Sequence, residues 1–251
     1  MKLSSWILSA LTAVTLGGSY AVAQAPFRQN TEADHNHAQE IDPKLLIKSQ
    51  QAFALLKKSN PLLIDVRSRE EYNAEHIAGS ISYPYRAIES TTNYPFQDKN
   101  RQMLLYCGCP HHLSGMSAEI LIKQGFKDVK VIDEGYWGWK AMNLPIMVNP
   151  NAPAKMTLDF EGRLTRAGQG AVYEDVLLVH PETGQIEAAR TDKDGNFRMA
   201  LHFYNSSLKD KVEFEVNNTT LKTLTLGELT TQNIQLDMPL QVASQQVTSR
   251  N

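Results

Sequence analysis

Met103-Leu104-Leu105-Tyr106-Cys107-Gly108-Cys109-Pro110-His111-His112-Leu113-Ser114 begins as four apolar residues and breaks into a loop at the first cysteine. A run that short and that apolar reads as a buried parallel strand. Ser114 is expected to cap the following helix, whose apolar positions are Ala118, Leu121 and Ile122. Gly125, in the left-handed region, is expected to close it. Strand, loop and helix N-terminus in that order surround a sulfur with backbone N–H groups and the positive end of a helix dipole. Such a cradle stabilises a thiolate on Cys107, and equally a persulfide. The alternative is an inert cysteine buried at a strand end.

Cys107 and Cys109 are the only 2 cysteines in 251 residues, so no disulfide framework holds this fold. With His111 and His112 they place soft or borderline ligands within one short loop, a mixture suited to copper or zinc. A loop tight enough to cradle one sulfur points neighbouring side chains apart, so neither metal nor cofactor is expected. Cys109 has two readings. It sits close enough to attack a persulfide or sulfenic acid on Cys107 and resolve it as a strained, reducible disulfide. Otherwise it lines the loop, turned away by Pro110.

Outward from the loop the pattern is α/β. Leu62-Leu63-Ile64-Asp65-Val66 and Val129-Lys130-Val131-Ile132 read as further buried strands. Asp42, with Pro43 behind it, is expected to cap one helix carrying Leu45, Leu46, Phe53 and Leu56. Short apolar strands alternating with helices imply a largely parallel sheet covered on both faces. Pro145, Pro150 and Pro153 mark a change of grammar. Beyond them come alternating segments at 157–160, 176–180, 197–201, 212–216 and 234–236, with turns at Glu182-Thr183-Gly184 and Asp194-Gly195-Asn196. That is the pattern of an antiparallel sandwich. Asp192 and Asp194 suggest a calcium loop, but its twelfth position is Phe203 where a glutamate is needed, so a plain turn is expected.

Residues 42–148 resemble a rhodanese domain. Ile64-Asp65-Val66-Arg67 through Tyr72 is similar to that family's Asp-Val-Arg segment, and His76-Ile77-Ala78-Gly79-Ser80 to its His-Ile-x-Gly-(Ala/Ser) segment. Tyr106-Cys107 matches the strand end that carries the nucleophile, and Gly125-Phe126 with Glu134-Gly135-Tyr136-Trp137-Gly138-Trp139 the closing stretch. The resemblance implies a sulfurtransferase: Cys107 takes a sulfane sulfur from a donor, holds it as a persulfide and passes it to an acceptor, a small molecule or a protein thiol. It implies that Gly108, Cys109, Pro110, His111, His112, Leu113 and Ser114 form the substrate loop, and that Asp65, Arg67 and His76 hold the fold. The loop departs from the family pattern by being about one residue longer and by lacking arginine. Leu113 stands roughly where a phosphate-clamping guanidinium would be, which disfavours phosphatase chemistry.

Residues 155–240 resemble the transthyretin-like or carboxypeptidase-regulatory-like β-sandwich modules, chiefly through a hairpin at Thr191-Asp192-Lys193-Asp194-Gly195-Asn196-Phe197. Such a module supports, spaces or binds a protein partner. A second function class follows, an exported interaction protein with the α/β domain as platform. The first half is expected to fold without the second.

Lys plus Arg is 25 and Asp plus Glu is 27; that balance lacks the basic field of a nucleic-acid binder. Met1-Lys2, the apolar run Trp6 to Leu16 and Ala21-Val22-Ala23 read as an export signal over 1–23, leaving no membrane attachment after cleavage. A periplasmic or secreted location is expected. The full division is a signal at 1–23, a polar lead-in at 24–41 holding His35 and His37, the α/β domain at 42–148, a linker at 149–154, the sandwich at 155–240 and a tail at 241–251.

Overall fold

The computed structural model describes residues 41–239. The expected signal, the lead-in before Ile41 with His35 and His37, Leu240 and the tail lie outside the described residues.

In chain order the first half runs β1 (Leu46–Ile47), α1 (Ser49–Ser59), β2 (Leu62–Asp65), α2 (Arg69–Ala74), β3 (Glu75–Ile77), β4 (Ile81–Ser82), α3 (Tyr85–Ser90), β5 (Met103–Tyr106), α4 (His112–Lys123), β6 (Val129–Ile132), α5 (Gly135–Ala141) and β7 (Ile146–Val148). Five strands form one parallel sheet in the order β1-β6-β5-β2-β4. β3 and β7 make a small antiparallel pair beside it. Strand alternation sorts the core into two layers. From β5, Met103, Leu105 and Cys107 join the layer under α3 and α4, while Leu104 and Tyr106 join the layer with Ile77, Tyr136 and Trp139. Both faces of the strand are covered, so its sequence is a continuous apolar run.

Two local expectations are corrected. Asp42 caps a single 3-10 turn, Pro43–Leu45, accepting from the Lys44 N–H at 2.9 Å. The chain then extends into β1 before α1 starts, so the expected single helix is interrupted. The sheet needs an edge partner for β6, and pairing Leu46 with Val131 and Ile47 with Ile132 outweighs the local helical stripe. Ser114 is not a cap. It lies inside α4, which starts two residues earlier behind His111, itself in the left-handed region at φ 37°. Gly125 does close that helix, with φ +93°.

The second half is β-rich. It contains β8 (Lys155–Arg166), β9 (Gln169–Gly170), β10 (Asp175–His180), β11 (Gln185–Arg190), β12 (Asn196–Tyr204), β13 (Lys211–Val216), β14 (Thr219–Thr225) and β15 (Ile234–Met238). One sheet has the order β11-β10-β13-β14, and the other β12-β8-β15 with β9 on β8. Their shared core includes Phe160, Leu164, Val176, Leu178, Phe197, Leu201, Phe203 and Phe214. All pairings are antiparallel except β15 on β8, which is parallel. The stretch Thr191–Phe197 turns as expected: Asp192 accepts from the N–H groups of Asp194 and Asn196 at 2.8 Å, and Gly195 has φ +83°. It is not a hairpin, however, because β11 and β12 leave it for different sheets.

β10 faces two cores. Val176 and Leu178 point into the β-rich core, whereas Leu177 and Val179, with Ile186 and Ala188 of β11, pack on the layer under α3 and α4. The Tyr204 hydroxyl donates to Glu75 Oε1 at 2.6 Å, and Arg86 pairs with Glu215. The two halves therefore share an apolar layer and polar links.

Candidate functional site around Cys107

Cys107 leaves the end of β5 with its side chain 1% exposed. As a thiol it donates to the Cys109 carbonyl oxygen at 3.2 Å, and the Ser114 hydroxyl lies 3.3 Å from the sulfur. Burial alone disfavours the thiolate. Hydrogen bonds from the Cys109 thiol, the Ser114 hydroxyl and the Ser114 backbone, with the nearby His111, outweigh it and lower the Cys107 thiol to about 7. Cys109 moves the opposite way. Its hydrogen bond to Cys107, its burial and the charge of Glu187 push its thiol well above the ordinary value.

The loop backbone is held by the start of α5. Tyr136 N–H donates to the Cys107 carbonyl at 2.8 Å and Trp137 N–H to the Gly108 carbonyl at 3.2 Å. These are N–H groups that a helix start leaves without an internal partner. The close approach requires Gly135, at φ +61°: a Cβ there would lie 2.6 Å from the Cys109 carbonyl oxygen and 3.0 Å from that of Cys107. A Cβ on Gly108 would make ordinary contact with the Trp137 indole, at 3.4 Å, and with Arg67.

Asp65 and Arg67 form a fully buried pair. Arg67 Nε and Nη2 reach the two Asp65 oxygens at 3.0 and 2.7 Å, Nη2 also donates to the Glu75 carbonyl at 2.7 Å, and the guanidinium lies over Tyr136. His76 stacks on Tyr72 at 3.9 Å and its Nδ1 meets the Tyr72 carbonyl at 2.8 Å. Leu113 is buried in the core, and Pro110 accepts from the His112 N–H at 2.8 Å. His111 Nδ1 lies 3.0 Å from Asp133 Oδ1, a contact that holds the Asp133 carboxyl well below the usual carboxylate range.

The four residues weighed as metal ligands are not brought together. Cys107 turns to Ser114, His111 to Asp133, and Cys109 sits 4.0 Å from His112 Nδ1 and 3.7 Å from Glu187 Oε2. Among the described residues no group of three or more His, Cys, Asp or Glu is placed to hold a metal ion. A pocket of about 130 Å³ opens beside the loop between Tyr85, His111, His112, Met116 and Arg190. The site residues that sequence reasoning missed are Glu187, Asp133 and the holding role of Gly135. Glu187 gives no sequence signal, because it is brought from a strand that was not anticipated and lies 78 positions from Cys109.

Residues 49–142 match the model of the rhodanese-like domain family. A thiosulfate sulfurtransferase, GlpE, of Coxiella burnetii is 32% identical over 106 residues, covering 42% of this chain and 95% of that protein. A dual specificity phosphatase, Cdc25, of Arabidopsis thaliana is 27% identical over 119 residues, covering 43% of this chain and 82% of that protein. Among solved structures, the rhodanese-like domain of an Anabaena protein matches at 22% identity and a TM-score of 0.39, over 44% of this chain and 85% of that one. The family match falls on the α/β half, where the parallel sheet, the cysteine at the strand end and the buried Asp–Arg pair lie, and with the GlpE relative covered over 95% of its length the chain belongs to the rhodanese-like family.

Proposed function

We propose that this protein is an exported sulfurtransferase that carries sulfane sulfur as a persulfide on Cys107. The observation that carries the reading is the Cys107 sulfur itself, lowered to about 7 in a cradle of hydrogen bonds at the end of a parallel strand. The Cys107 thiolate attacks the sulfane sulfur of a donor such as thiosulfate. A sulfur–sulfur bond forms to Cys107, the donor's own sulfur–sulfur bond breaks, and sulfite leaves with the bonding pair. An acceptor thiolate then takes the outer sulfur and returns Cys107 to the thiolate. At 1% exposure the sulfur is covered, so the donor enters when the loop 108–112 opens beside the pocket at His111, His112 and Arg190. The loop carries no arginine, which favours a donor of low charge, a protein or small-molecule persulfide, over thiosulfate.

The basic start, apolar run and small residues within 1–23 support export to the periplasm or the exterior. The β-rich half is taken as a transthyretin-like module and as the face for a protein partner, on the strength of its two sheets packed on a shared core. The test is direct. Treating the protein with thiosulfate or a persulfide donor should add one sulfur, about 32 Da, to wild type and none to Cys107→Ser. Unchanged transfer to cyanide by that variant overturns the reading. Intact mass of exported protein should lack residues 1–23; a membrane species retaining Met1 refutes cleavage.

A further inference from the structure

A buried carboxylate from the β-rich half reaches the sulfur loop. Glu187, on β11, is 4% exposed and sets Oε2 3.7 Å from the Cys109 sulfur. Its Oε1 lies 3.8 Å from His202 Nδ1, and the His202 ring packs at 4.5 Å on Trp137, the residue that covers Gly108. Burying a carboxyl group is unfavourable unless the site uses or satisfies it. Loading sulfur on Cys107 gives Glu187 no task. Cys109 lies between the two: its carbonyl oxygen accepts from the Cys107 thiol at 3.2 Å, and its own thiol, held protonated, donates to Glu187.

We infer that Cys109 and Glu187 perform a second reaction, reduction of the Cys107 persulfide with release of hydrosulfide, in which Glu187 accepts the Cys109 proton. The inference rests on the sulfur-transfer reading. The Cys109 sulfur attacks the inner sulfur of the persulfide, and the Cys107–Cys109 bond forms. The bond to the outer sulfur breaks, and that sulfur leaves with the bonding pair. The proton taken by Glu187 passes to the departing sulfide, giving hydrosulfide. The two cysteines together lose two electrons and the sulfane sulfur gains them, so no further oxidant is needed. An external dithiol then reduces the strained disulfide and restores both thiols. The Cys109 thiol points its proton at Glu187 while the Cys107 thiol holds the Cys109 carbonyl oxygen at 3.2 Å, which keeps the two cysteines side by side for this attack. The other titratable groups around the pair are Cys107, His112 on α4, His202 on β12 and Glu71 on α2, whose carboxyl is raised to about 8 by its burial and, against the lowering by Arg67, by the Glu187 charge among others.

The full chain is loaded with inorganic polysulfide, freed of donor, and followed by mass and by hydrosulfide release, each normalised to the persulfide initially present. Wild type should convert its persulfide to a Cys107–Cys109 disulfide, a loss of about two hydrogens relative to the dithiol, while releasing about one hydrosulfide per chain. Cys109→Ser should keep its persulfide. Glu187→Gln should slow the conversion on the order of a hundredfold near neutral pH, the scale of a lost general base. The deficit should close as rising pH ionises Cys109 without help, and Glu187→Asp should recover part of the rate. Equal rates in wild type and Glu187→Gln overturn the role of Glu187. A wild-type persulfide as durable as that of Cys109→Ser overturns the whole step and leaves sulfur transfer standing, whereas failure to load sulfur overturns both. Should Glu187→Gln not fold, the Cys109→Ser comparison and the Glu187→Asp rate decide.

Discussion

Replacing Gly135 by alanine tests whether the sulfur loop is held from behind by α5. The added methyl is strained twice over. Gly135 has φ +61°, where an L residue pays about 1–2 kcal/mol. Its Cβ would lie 2.6, 2.9 and 3.0 Å from the carbonyl oxygens of Cys109, Gly108 and Cys107, all backbone atoms that cannot swing away. Overpacking of that kind costs about 1–3 kcal/mol. Together the two give about 2–5 kcal/mol. At about 2–4 °C per kcal/mol for a domain of this size, the melting temperature should fall by roughly 4–20 °C. The loop must also shift, weakening the hydrogen bonds from Tyr136 and Trp137 and moving Cys107 relative to Ser114. Gly125→Ala is the control: φ is +93°, but nothing lies within 4 Å of its Cβ, so only the strain operates. The assay is thermal unfolding together with the pH dependence of Cys107 alkylation. Gly135→Ala should lower stability more than Gly125→Ala and alone displace the alkylation midpoint. Equal losses and an unchanged midpoint in both variants would refute the argument.

Wild-type Cys107 should alkylate with a midpoint near 7, its rate falling about tenfold per pH unit below that, and Ser114→Ala should move the midpoint up; a wild-type midpoint near 9 removes the cradle from the explanation. Glu71 accepts from Ser68 in a capping box at the head of α2, yet burial raises its carboxyl from 4.5 to about 8. The folded state thus binds a proton that the unfolded chain releases, and stability should decline from pH 4.5 to 8 by up to roughly 1.4 kcal/mol per pH unit. Urea unfolding of Glu71→Gln should lack that part of the decline, and an identical slope in both proteins counts against it. A chain ending at Asn151, expected from the sequence to fold alone, loses the cover of Leu177, Ile186 and Ala188 and the Tyr204–Glu75 bond. Its α/β half should be less stable by on the order of 5 kcal/mol, and equal melting temperatures with and without the second half would show the shared layer to be idle.

Elements whose signal is local are legible in the chain. Met103–Tyr106, Leu62–Asp65 and Val129–Ile132 are buried on both faces, so each shows as an unbroken apolar run, and the cysteine at the strand end is visible as the next residue. Asp65 and Arg67 are two positions apart, so their pairing is a local feature of the chain. Where the sequence misled, distant partners decided. Leu45 and Leu46 fit a helical stripe, but β6 offered an edge and the chain extended to pair with it. The turn at Asp192–Asn196 has the residues of a hairpin, yet the strands it joins are claimed by separate sheets. Gln185–Arg190 lacks strict alternation because Ile186 and Ala188 serve the α/β core while Ala189 serves the β-rich one. Only the tertiary structure set Glu187 against Cys109 and brought the start of α5 behind the sulfur loop. Those contacts depend on how two halves and two helix ends meet in space, and residue spacing along the chain carries no record of such meetings.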